Sequence, residues 1–174
     1  MYIVDAESLM TILSCRKDKP LNEWITKEKL VVHVCPTTIA TVAVSLNQFE
    51  PKEQKEAKDK DILLSRLDAL KKCISRGDLD FKDTEAPVSM INIDIETINI
   101  FIKLAAYIDS GKILPDWPGE LSVVTDFEIM VAAAGLRHQA IVIENKNPGI
   151  FSALAGVLPH KYGELNVIQA DDPS

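Results

Sequence analysis

The sequence predicts an α/β fold, with one domain built on a central parallel sheet and helices on both faces. Three observations lead there. Short segments such as Ile3-Val4, Leu30 to Val34 and Ile141-Val142-Ile143 are apolar and mostly β-branched, as strands covered on both sides must be. Longer stretches between them carry apolar residues at helical spacing. Two of the apolar segments stop on polar groups, Asp5 and Asn145, and open parallel sheets build their sites outside the carboxyl ends of strands.

The elements follow in order. Residues 1–4 read as a buried strand, and residues 6–14 continue with Leu9, Met10, Ile12 and Leu13 on one helical face. Arg16 to Pro20 is a polar break, after which residues 21–25 form a short helix pinned by Trp24. Residues 30–34 are the second strand. Pro36 suits a helix start, where its missing N–H is no loss, so residues 37–46 are helical despite several Thr and Val. Residues 50–60 are densely and doubly charged. Ile62, Leu63, Leu67, Leu70 and Ile74 extend a long helix from them, and Gly77 sits where a terminating glycine belongs.

An acidic loop (residues 77–87) leads to a strand over residues 88–93. Asp94 caps a helix over residues 95–110, with Ile98, Phe101, Ile102, Ala105 and Ile108 expected inward and Gly111 at its end. Pro115 to Gly119 is rich in turn residues. Thr125 with Glu128 three residues on is a capping box that opens a helix to His138. Residues 141–143 form a strand, Asn147-Pro148-Gly149 a turn, residues 151–155 a short helix and residues 165–168 a last strand. The domain is expected to span residues 1–169, with residues 170–174 a frayed tail.

With 174 residues the chain can bury a sizeable core. A net charge of −7 argues against gripping nucleic acid by global positive charge. No apolar run reaches the roughly 20 residues a membrane span needs, and the N-terminus lacks a basic, cleavable leader. Cys15, Cys35 and Cys73 are odd in number and have no metal-type spacing, which fits reduced thiols and a cytoplasmic setting without a membrane partner.

The candidate site is acidic. If the sheet brings Asp5 near Asp126 and Glu128, those carboxylates can share a divalent cation. Each residue also has a plainer role. Asp5 can cap the helix that follows it, Asp126 and Glu128 suit the first turn of theirs, and Asn145 can be a turn residue. His33, His138 and His160 are scattered, and Ser8, Ser14 and Cys15 have no neighbouring histidine, so triad chemistry has no support. The seven glycines form no phosphate loop. Lys55, Lys58, Lys60, Lys71, Lys72 and Arg76 are interleaved with acids and read as a solvated helix face.

In order along the chain, four stretches resemble those of PIN domains, and most of all the VapC-type toxin ribonucleases. They are the opening strand ending on Asp5, the strand, helix and glycine of residues 88–111, the acid-led Glu128-Ile129-Met130-Val131-Ala132-Ala133, and the strand ending in Asn145. The resemblance implies a Mg²⁺- or Mn²⁺-dependent endoribonuclease. Asp5, Asp126 and Glu128 would be the metal ligands, and Asn145 would orient phosphate or water. It also implies RNA as substrate, a protein partner such as an antitoxin, and a homodimer. The chain departs from the pattern on the helix after the second strand. Residues 40–44 hold no acid there, and Val44 falls where the family's glutamate is expected. Glu7 replaces a small polar residue, and no acid closely follows Asn145. The expectation is therefore a weak ribonuclease, with a non-cleaving module that binds a protein or RNA as the alternative.

Overall fold

In the computed structural model the described residues are 1–16, 18–76, 87–109, 124–145 and 149–173. Five strands, β1 (Tyr2–Val4), β2 (Val32–Val34), β3 (Val88–Met90), β4 (Ile141–Glu144) and β5 (Asn166–Gln169), form one sheet in the order β3-β2-β1-β4-β5. All the pairings are parallel, so the expected fold class is the observed one. The described helices are α1 (Ala6–Ser14), α2 (Pro20–Glu28), α3 (Pro36–Gln48), α4 (Gln54–Ser75), α5 (Ile95–Asp109), α6 (Asp126–His138) and α7 (Ile150–Val157). None of them is long and apolar enough to cross a membrane.

The strands are covered on both faces, which is why they carry few polar residues. Val4, Val32, Val34, Val88 and Ile143 point to one core with Leu9, Leu13, Leu21, Ile25, Leu67 and Leu70. Ile3 and Val142 point the other way, to a second core with Ile129, Ala132, Ala133, Leu136, Phe151 and Leu154. On that side α6 lies close to the sheet. A β-carbon on Gly135 would sit 3.0 Å from both Leu165 Cδ1 and Val142 Cγ2, so the helix presents a small residue there.

Several boundaries differ from the sequence reading for local reasons. The second strand starts at Val32 because Leu30 N–H donates to Ile25 O (3.0 Å) and so completes the end of α2. That helix is longer than expected because Pro20 opens it from the first turn. Trp24 does pin it, edge-on to Tyr2 with ring centroids 5.3 Å apart. Asp94 caps α5 as expected, accepting from Thr97 N (2.8 Å). The inward face of α5 was read wrongly: Phe101, Ala105 and Ile108 pack on the core, but Ile98 and Ile102 are exposed, and Thr97 and Leu104 are the buried positions. The expected features at Gly77, Gly111, Pro115 to Gly119 and Asn147-Pro148 lie outside the described residues. In the expected tail, Ala170 N–H donates to Glu144 O at 2.7 Å.

Candidate functional site

The strand order reverses direction between β1 and β4. The chain steps outward from β1 to β2 and β3, then returns to lay β4 and β5 on the other side. Helices after β1 and β4 therefore diverge, and a cleft opens at the carboxyl ends of the two strands. It has a volume of about 320 Å³. Asp5 and Asn145 line it from the strand ends, Glu7 and Met10 from α1, Thr38, Thr41 and Ser45 from α3, and Phe127, Glu128 and Val131 from α6.

Asp5 is the best-defined group. It caps α1, with Oδ1 accepting from Ser8 N (2.7 Å), and its Oδ2 accepts from Asn145 N (3.1 Å). One carboxylate thus joins the two strand ends that frame the cleft. Burial pushes its pKa from 3.8 up to about 6, with Glu7 adding to the rise, while the hydrogen bonds from Ser8 and Asn145 oppose it.

The other expected acids are placed differently. Glu128 lines the same cleft, but its Oε2 accepts from Thr125 N (2.6 Å) and Thr125 Oγ1 (3.0 Å), completing the capping box. Asp126, in the first turn of α6, is exposed and stands off the cleft wall. Asn145 is at the site, with its backbone N–H committed to Asp5. Val44 does not occupy the place expected for it. It is 48 % exposed, and the α3 residues on the cleft are Thr38, Thr41 and Ser45. Positions 38, 41 and 45 share a helical face, and position 44 lies about 90° round the helix from it.

Two features escaped the sequence reading. The first is this row of hydroxyls, whose signal was polar residues at steps of three and four on a helix of weak propensity. The second is Glu144, only 1 % exposed at the end of an otherwise apolar strand. Its carboxylate accepts from Phe151 N (2.7 Å), Ser152 N (2.9 Å) and Gln169 Nε2 (3.0 Å), and from Ser152 Oγ. It closes the N-terminus of α7 and is spent on doing so. An acid five residues before a Gly149-led helix start was the available clue.

Asp5 and Glu128 both line the cleft, beside the hydroxyls of Thr38, Thr41 and Ser45. Among the described residues, no three of His, Cys, Asp and Glu stand close enough to hold a metal ion. The donor set falls short of a two-cation arrangement. The remaining candidates are structural. His33 Nδ1 lies 3.3 Å from Tyr2 O and burial lowers its pKa, while His138 Nε2 lies 3.1 Å from Asn92 O. Burial pushes the Cys35 thiol up to about 12, which keeps it protonated. The lysine-rich α4 is a solvated face, where Lys60 Nζ reaches Phe49 O (2.7 Å) and Lys71 pairs with Asp68 (3.3 Å).

A parallel sheet in this order, with an aspartate closing its first strand at the switch point, defines a PIN-like α/β fold. The chain is similar to the crystal structure of FitAcB from Neisseria gonorrhoeae, at 14 % identity over 98 % of both chains with a TM-score of 0.53. It is also similar to FitAB bound to an IR36 DNA fragment, at 13 % identity over 98 % of this chain and 95 % of that one, with a TM-score of 0.54. At such identities the likeness is one of fold. No protein-family model and no curated protein sequence matches the chain.

Proposed function

We propose that this chain is a PIN-like module of the toxin type that acts by binding a protein partner at its acidic cleft, and that the cleft does not sustain phosphodiester hydrolysis. The observation that carries this reading is the α3 wall. Thr38, Thr41 and Ser45 offer hydroxyls where a further acid would be needed, and Glu144 is consumed by α7. Hydrolysis needs a cation on the scissile phosphate, a polarised water and stabilisation of the leaving oxygen. Asp5, Glu7 and Glu128 line the cleft, but among the described residues no three acids stand close enough to hold the ions that all three tasks need.

The same cleft suits a cationic side chain. Asp5, Glu7 and Glu128 surround it, and Phe127 adds an exposed ring whose face attracts a guanidinium. The similarity to FitAB, a two-component assembly by its name, supports a protein as the partner. Titration with a guanidinium salt should shift the amide resonances of Asn145 and Phe127, and should do so less in Asp5→Asn.

A second reading, a weak Mg²⁺- or Mn²⁺-dependent ribonuclease, is favoured by the half-buried Asp5 carboxyl and Glu128 sharing one cleft. A bound cation would supply Lewis-acid polarisation of a phosphate there. Asp5 would hold the ion, and Asn145 would fix Asp5 through its N–H. Cleavage of a fluorescent RNA by wild type, Asp5→Asn and Thr41→Glu, each with Mn²⁺ and with EDTA, separates the readings. The binding module predicts wild-type cleavage no faster with Mn²⁺ than with EDTA. Metal-dependent wild-type cleavage that disappears in Asp5→Asn would replace it with the ribonuclease. Thr41→Glu reports whether one added acid is enough.

A further inference from the structure

A second pocket, of about 430 Å³, opens between α1 and α4 and meets the cleft at Glu7, Met10 and Asn145. Its character changes along α1. Past Glu7 the lining is aliphatic, with Met10 from α1 facing Leu63 and the 39 % exposed Ile62 of α4. At the carboxyl end of α1 it is cationic, lined by Arg16, Lys19 and Arg66. Three cations beside one acid, Asp59, reverse the sign of a chain whose net charge is −7.

These cations have donors to spare. Arg66 Nη1 donates to Leu13 O at 2.6 Å, which leaves the rest of its guanidinium fork. Arg16 Nη2 and Asp59 Oδ2 are 3.4 Å apart, with side chains 51 % and 46 % exposed, a pair that an anion can displace. Lys19 is exposed and pairs with no acid among the described residues. The carbonyls ending α1, which would repel an anion, are already covered by Arg66 and by Asn22 Nδ2, which donates to Thr11 O (3.0 Å). Among the described residues no aromatic ring lines the pocket, so nothing there stacks a nucleobase. We propose that this pocket binds a small amphiphile, a carboxylate or phosphate head group on an aliphatic chain. The head meets Arg16, Lys19 and Arg66, and the chain lies on Met10, Ile62 and Leu63. The volume falls within the roughly 300–1,000 Å³ of small-molecule sites, which likewise pair an apolar lining with a few convergent polar groups.

The proposal is independent of what the cleft does. It is tested by titrating the protein with octanoate and with octyl phosphate, each below its micelle-forming concentration, and following amide and methyl resonances, with circular dichroism confirming the fold. At least one of the two should bind saturably at millimolar concentration, as suits so small a ligand, and the tighter one names the head group. Binding should shift the methyls of Ile62 and Leu63 together with the amides of Arg16 and Lys19. Arg16→Glu and Lys19→Glu should each weaken it at least about fivefold. Ile62→Asn should weaken it too, while leaving the feebler binding of inorganic phosphate unchanged. Octyltrimethylammonium, with the same chain and the opposite charge, should leave these signals in place. Three results would overturn the proposal: no saturable binding of either anion, equal shifts of the same methyls by the ammonium, or tighter binding of adenosine monophosphate than of octyl phosphate.

Discussion

At the scale of the residue, Asp5 shows how one side chain serves fold and site together. Its two oxygens accept from Ser8 and Asn145, and burial raises its pKa to about 6. An unfolded chain loses that proton near pH 4, while the folded chain keeps it until about 6. Within this window the folded state binds more protons, so the contribution of Asp5 to stability falls as pH rises through it. The fall is on the order of 3 kcal/mol. Urea unfolding between pH 4 and 7 should show this decline in wild type and a flatter profile in Asp5→Asn. Asp5 was legible in the sequence because an apolar strand that stops on an aspartate has few explanations. Glu144 was not. The sequence shows an acid beside Asn145, but the contacts that consume it come from Phe151, Ser152 and Gln169, brought together only by folding.

At the scale of the element, local chemistry was the reliable guide. The capping box of Thr125 and Glu128 fixed the start of α6, and the structure closes it as written. Faces were harder. Five isoleucines and a phenylalanine on α5 satisfy more than one helical stripe, and the periodicity does not say which stripe meets the core. The assignment of Val44 failed similarly, since a helix of Thr, Val and Ala has little moment to orient it. Helix α7 offers a test at this scale. Glu144→Ala strips the acceptor from two N-terminal N–H groups and from Gln169 in a buried setting, at a cost of about 3 kcal/mol. In a chain of this size that corresponds to a fall in melting temperature of roughly 6–12 °C by calorimetry.

For the whole molecule, the sheet order decides where a ligand can act. Asp5 and Asn145 meet at the two strand ends because β1 and β4 are neighbours, and that adjacency could be expected from the fold class. How many acids arrive could not, since it depends on which way α3 and α6 turn their side chains. A cation held by Asp5 should still stabilise the fold. With Mn²⁺ at a hundredfold excess over its dissociation constant, the gain is about 2.7 kcal/mol in wild type and absent in Asp5→Asn. Thermal melts with and without Mn²⁺ measure it, and equal shifts in both proteins would place the ion elsewhere.

The central position of β1 also governs how the chain can come to be folded. Tyr2 pairs with Val32 on one side and with Ile141 on the other. Of the five strands, the one made first is therefore the middle of the finished sheet, and one of its edges waits for β4, more than 130 residues later. Until β4 arrives, that edge presents open N–H and C=O groups beside the apolar Ile3 and Val4, a template for pairing with the wrong strand. Contacts so distant in sequence make folding slow. The chain's most vulnerable moment thus falls during synthesis, and the last third of the sequence acts as the clasp that ends it.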